Sequence, residues 1–125
     1  MKSPSLYASF VNAIRGFHLV VSSERNMVIH VFAMLAVVIA GVYFQVSSSE
    51  WIALTICISM VLGAECLNTA IERLADRVEP EKDQLIGEAK DIASTGVLLM
   101  AVGSAITAAI IFVPKILALL APATS

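Results

Sequence analysis

Three long apolar runs constrain this chain more than any other feature of it. They cover residues 27–46, 51–71 and 92–113, and the only ionisable side chains inside them are His30 in the first and Glu65 in the second. About 20 residues of helix cross the hydrocarbon layer of a bilayer, so each run is long enough to span. At 58% hydrophobic residues and a mean hydropathy of +0.88, the 125-residue chain cannot hide its apolar surface inside a soluble core of that size. The sequence therefore predicts one all-α integral-membrane domain, residues 1–125, with three transmembrane helices. The first run starts too late, and lacks the small-residue cleavage site, for a removable signal peptide.

Charge placement orients the spans. Lys2, Arg15 and Arg25 precede the first span, and Arg73, Arg77, Lys82 and Lys90 surround the second loop. The first loop, Ser47-Ser48-Ser49-Glu50, holds no cation, and the C-terminal tail only Lys115. The positive-inside rule then puts the N-terminus and second loop in the cytoplasm, with the C-terminus outside. A formal charge of −2 and the lack of a basic run exclude a nucleic-acid surface. Cys57 and Cys66 match no metal or redox spacing and read as small packing residues.

Before the first span, Leu6, Tyr7, Phe10, Val11, Ile14, Phe17 and Val21 recur with helical period, with Ser9, Asn12, Arg15 and Ser22 on the other side. This predicts an amphipathic surface helix at about 5–22. Ser22 or Ser23 is expected to cap the first span, with Glu24 in its first turn. The four-residue outer loop forces an antiparallel hairpin, with Trp51 as an interfacial anchor and Gly41 as a packing residue. The second span should continue as helix over about 51–78, until Pro80 stops it. The third, about 90–113, is entered by a short helical stretch from Leu85 and is followed by a short apolar tail after Pro114. Its small residues (Gly96, Ala101, Gly103, Ala105 and Ala109 among them) favour close helix packing and a homo-oligomer.

One stripe carries the chemistry. Glu65, Asn68, Thr69, Glu72 and Asp76 fall at i, i+3, i+4, i+7 and i+11, on one helix face at a membrane boundary. Acids in that position are costly unless something cationic faces them. Lys90 is the nearest downstream cation, while Arg73 and Arg77 lie off the stripe and read as interfacial anchors. The chain has no glycine-rich phosphate loop and no nucleophile elbow, so a nucleotide would be handled by carboxylates and a metal. Mg²⁺ suits such a site, because it bridges one or two carboxylates to substrate phosphates. Glu72, with a second acid such as Glu24, can hold it. Glu65, deeper in the span, can take a proton from a lipid hydroxyl, and Lys90 can contact phosphates. The residues alone also admit a cation or proton pathway through Glu65, or a purely structural polar seam.

Four stretches carry a resemblance. They are Ser23-Glu24-Arg25-Asn26-Met27, Glu50-Trp51, Glu65 through Glu72 with Asp76, and Ala89-Lys90-Asp91-Ile92-Ala93. In these the chain resembles the prokaryotic integral-membrane diacylglycerol kinase family, and most closely its undecaprenol kinase branch. The resemblance implies a homotrimer of three-span protomers in the bacterial inner membrane, with sites shared between neighbours. It implies transfer of the ATP γ-phosphate to the hydroxyl of undecaprenol or diacylglycerol, with Mg²⁺. By position, Glu65 matches the catalytic base, and Glu24 and Glu72 the metal carboxylates. Asn68, Asp76, Glu81, Asp83, Lys90 and Asp91 match the polar shell around ATP, and Asn26, His30 and Ser94 the lipid headgroup. The chain departs from the family at Glu81-Lys82-Asp83, where an aromatic residue and a His are expected after the Glu, so contacts to the nucleotide base differ.

Overall fold

The computed structural model describes residues 5–121, so Lys2 lies outside the described residues. They form four helices and no strand: α1 (Leu6–Ser23), α2 (Arg25–Tyr43), α3 (Ser48–Val78) and α4 (Gln84–Leu120). The last three are long and apolar enough to cross a membrane.

The Ser5 hydroxyl opens α1 by accepting the Ala8 N–H at 3.3 Å. That helix ends within a residue of where periodicity ended it. The start of α2 differs from expectation. Ser22 and Ser23 do not cap it; their hydroxyls turn back to the Leu19 carbonyl at 3.1 and 2.8 Å, the usual recourse of serine late in a helix. Glu24 is not in the first turn of α2 but is the single extended residue (φ −111°, ψ 115°) between the two helices. It makes no side-chain cap bond to α2.

Residues 44–47 join α2 to α3 through two recognisable devices. Gln45, at φ 51°, occupies the left-handed position, with Gln45 N–H on the Val42 carbonyl (3.2 Å) and Val46 N–H on the Gly41 carbonyl (3.1 Å). This is a Schellman stop that does without glycine. Ser47 and Glu50 then form a capping box, each side chain accepting the other's backbone N–H at 3.2 and 2.8 Å. The turn therefore lies earlier than the predicted Ser47–Glu50 loop, and Glu50 belongs to α3.

At this end the packing is tight. Val46, Leu54, Ile111 and Phe112 form the buried cluster, flanked by Phe44 and Trp51. The Phe44 and Phe112 rings lie 6.0 Å apart. Here α4 runs beyond the expected span, continuing as helix through Pro114 to Leu120. Proline removes one N–H from the ladder, but uncoiling in lipid would strand many backbone groups, so continuing is the smaller cost. The extension brings Lys115 Nζ to 2.7 Å from Glu50 Oε1, tying α4 to the start of α3.

At the other end, α3 stops at Val78 and Asp83 caps α4, its Oδ1 accepting the Ile86 N–H at 2.9 Å. The main packing is of α3 along α4, with α2 lying more lightly on α3 and α1 touching both α2 and α3.

Candidate active site

The polar stripe of α3 is also its buried seam. Leu54, Val61, Glu65 and Thr69 recur on one face, and Glu65 and Thr69 are each only 2% exposed within a single protomer. Burial of an aliphatic seam is ordinary; its continuation into a carboxylate is not.

His30, one and a half turns into α2, places Nε2 3.2 Å from Glu65 Oε1. Beyond this ionic contact, Oε1 has no hydrogen-bond partner. One turn along α3, Asn68 Nδ2 donates to Glu72 Oε1 at 3.5 Å, and Asn68 Oδ1 is likewise buried without a donor. Glu24 and Glu72 both lie within electrostatic reach of Glu65. The contacts in this group are the His30–Glu65 pair between α2 and α3 and the Asn68–Glu72 pair along α3, with Glu24 at the α1–α2 break within electrostatic reach. An unpaired buried polar atom costs about 1–3 kcal/mol, and a charged one more. Two such oxygens on one face are what an incoming hydroxyl or cation would satisfy.

Towards the α3–α4 loop, Lys90 Nζ donates to Asp76 Oδ1 at 2.8 Å and lies within electrostatic reach of Glu72. The anticipated meeting of Lys90 with the acidic stripe is therefore present. Other predicted residues stand apart from the cluster. Glu81 is exposed in the loop, with its N–H on Glu79 Oε1 at 3.2 Å. Asp83 is occupied as a helix cap, and Asp91 and Asn26 are exposed. The Ser94 hydroxyl donates to the Asp91 carbonyl at 2.9 Å rather than into the cluster.

One contact was invisible in the sequence. Arg73 Nη2 donates to Ser23 Oγ at 2.6 Å, joining α3 to the α1–α2 break. Arg73 read as an interfacial anchor, and no local pattern pairs residues 50 positions apart.

The donor set can be compared with what a metal would need. Among the described residues, no three His, Cys, Asp or Glu side chains converge into a protein-only metal cage. Glu72, with the unpartnered Asn68 oxygen next to it on α3, offers a partial set of oxygen donors of the kind Mg²⁺ takes when waters and phosphates complete its shell.

Fold and site together define an integral-membrane helical protein with a carboxylate centre at one end of its spans. The chain belongs to the prokaryotic diacylglycerol kinase family, whose sequence profile matches residues 11–112. It is 37% identical to the undecaprenol kinase of Bacillus subtilis (strain 168) over 110 residues, 88% of this chain and 89% of that protein. A diacylglycerol kinase of Synechocystis is 34% identical over 121 residues, 94% of this chain and 68% of the relative. The diacylglycerol kinase of Escherichia coli (strain K12) is 38% identical over 77 residues, 62% of each chain.

Proposed function

We propose that this chain, a lipid kinase by family, transfers the γ-phosphate of ATP to the hydroxyl of undecaprenol or diacylglycerol in the bacterial inner membrane. The products are undecaprenyl phosphate or phosphatidic acid. The observation that carries the reading is Glu65, a carboxylate 2% exposed in an apolar span, with one oxygen left without a donor. The near full-length match to an undecaprenol kinase favours the polyprenol as first substrate.

Glu65 takes the proton of the lipid hydroxyl as its oxygen attacks the γ-phosphorus in line, and the β–γ bridging oxygen leaves with ADP. His30, at 3.2 Å, steadies the Glu65 carboxylate and, with Asn26 and Ser94, lines the approach of the headgroup. Glu24 and Glu72 would hold Mg²⁺, which when bound neutralises charge on the phosphates. Asn68 orients Glu72 through its amide and offers its free oxygen to the same group. Lys90, aimed by Asp76, meets the phosphates as a point charge. Glu81, Asp83 and Asp91 form the polar shell nearer the nucleotide.

Beyond His30, the cavity of about 220 Å³ among α2, α3 and α4 is lined by Ala33, Met34, Val37, Leu54, Val61 and Ala105. That lining suits a hydrocarbon tail and argues against conduction through a protomer. Leu6, Tyr7, Phe10 and Ile14 of α1 are exposed, which supports an amphipathic helix resting on the membrane surface. Three spans make a thin bundle with much apolar surface exposed, which supports a homotrimer with shared sites.

Purified protein in mixed micelles, given labelled ATP, Mg²⁺ and each lipid alcohol separately, should phosphorylate at least one. The relative kcat/KM ranks undecaprenol against diacylglycerol, and no labelled lipid from any alcohol would sink the kinase assignment. Sedimentation of the same sample should show a trimer; a monomer would remove the shared-site arrangement.

A further inference from the structure

We propose that Arg73 is a positioning residue for the Glu24 carboxylate and acts through the hydroxyl of Ser23. The inference rests on the reading of Glu24 as a metal carboxylate and extends it to residues outside the acidic stripe.

The break between α1 and α2 is one residue wide, and that residue is Glu24. Its backbone is held on both sides, by its N–H on the Val20 carbonyl at 2.9 Å and by the Val28 N–H on its own carbonyl at 3.3 Å. Its side chain has no such fixture from α2, whose N-terminus it does not cap. What the side chain does have is Ser23 Oγ, 3.2 Å from Glu24 Oε1.

Ser23 can donate only one proton, and two acceptors compete for it: the Leu19 carbonyl at 2.8 Å and Glu24 Oε1 at 3.2 Å. Arg73 Nη2 donates to the same hydroxyl oxygen at 2.6 Å. A cationic donor on that oxygen polarises the O–H and makes it a stronger donor, and charge-assisted bonds favour the ionised acceptor. The chain Arg73 to Ser23 to Glu24 therefore tethers the carboxylate from a residue adjacent to Glu72. One turn of α3 would then set both metal carboxylates: Glu72 directly, and Glu24 through its neighbour's guanidinium. A plain interfacial anchor has no need of a particular hydroxyl partner.

The test is binding of Mn²⁺ as a Mg²⁺ substitute, followed by electron paramagnetic resonance on the full-length protein with a non-hydrolysable ATP analogue. The Mg²⁺ dependence of turnover is measured beside it. Ser23→Ala and Arg73→Gln should each weaken Mn²⁺ binding about 10-fold or more, as loss of a ligand's supporting partner does. Each should raise the Mg²⁺ needed for half-maximal rate while the KM for lipid stays at the wild-type value. The double variant should be no weaker than the worse single, since both remove one tether. Arg73→Lys should restore part of the affinity, as it keeps a charge without the planar fork. Wild-type Mn²⁺ affinity in both single variants overturns the proposal, as do additive losses in the double variant. A fall in kcat alone, with metal affinity intact, makes Arg73 a structural tie and also overturns it. Glu24→Gln separates the two readings: retained Mn²⁺ affinity removes Glu24 as a ligand and the tether with it. Affinity lost in Glu24→Gln but kept in Ser23→Ala removes the tether alone.

Discussion

A carboxylate taken out of water costs several kcal/mol unless partners replace its hydration, and for Glu65 the one close partner is the His30 imidazole, 3.2 Å from one oxygen. Such a residue trades stability for function, which gives Glu65→Gln two separable effects. Turnover should fall by about 10²–10⁴-fold, the usual worth of a general base. Thermal stability in detergent should stay level or rise, because an amide is cheaper to bury than a charge. Near-normal turnover in that variant would remove Glu65 from the base role. The acid stripe itself was legible in the sequence, since helical period alone aligns Glu65, Asn68, Glu72 and Asp76. The contacts that make it a site were not. His30 meets Glu65, and Arg73 meets Ser23, only because α1 and α2 dock on α3 in one register, and helical period says nothing about register between helices.

At the scale of elements, the α2–α3 hairpin is the stiff end of the molecule, and Gly41 shows why. A Cβ added there would lie 2.5 Å from Trp51 Cη2 and 2.9 Å from Cζ2, so the indole is seated directly on the bare backbone of α2. A ring cannot yield as a flexible chain end does. Gly41→Ala should therefore destabilise by about 1–3 kcal/mol, the range for overpacking a close contact. Combined with Trp51→Leu, the loss should be smaller than the sum of the two singles. Thermal unfolding of detergent-solubilised protein measures both, and a wild-type melting temperature for Gly41→Ala would show that Trp51 does not seat there. The sequence anticipated this hairpin and the packing role of Gly41. Helix ends were less legible, for physical reasons. At Ser22 and Ser23, good capping residues bonded backwards to Leu19; at Pro114, a helix breaker was overruled by the backbone's need for internal partners in lipid.

The molecule as a whole is legible in class but not in assembly, because side chains such as Leu98, Val102 and Ile106, exposed on α4, look alike whether they meet lipid or another protomer. The orientation we propose rests on where the cations lie. Arg15, Arg25, Arg73, Arg77, Lys82 and Lys90 belong to α1, the first turn of α2, or the α3–α4 loop and the helix ends that flank it. Lys115 is the described cation at the opposite end, and Glu50 neutralises it at 2.7 Å. Counted as cations, these positions favour a cytoplasmic α3–α4 loop by the positive-inside rule. The proposed chemistry demands the same orientation, since Glu24, Glu72 and Lys90 must face the compartment that holds ATP. With Cys57→Ala and Cys66→Ala as background, Ser49→Cys probes the first turn of α3, next to the hairpin connection, and Glu81→Cys the α3–α4 loop, both at exposed positions. In right-side-out vesicles a membrane-impermeant maleimide should label the Ser49→Cys protein and spare the Glu81→Cys protein; inverted vesicles should reverse the pattern. Labelling of Glu81→Cys from outside would put the acids on the side without nucleotide, and the kinase site could not work in that orientation.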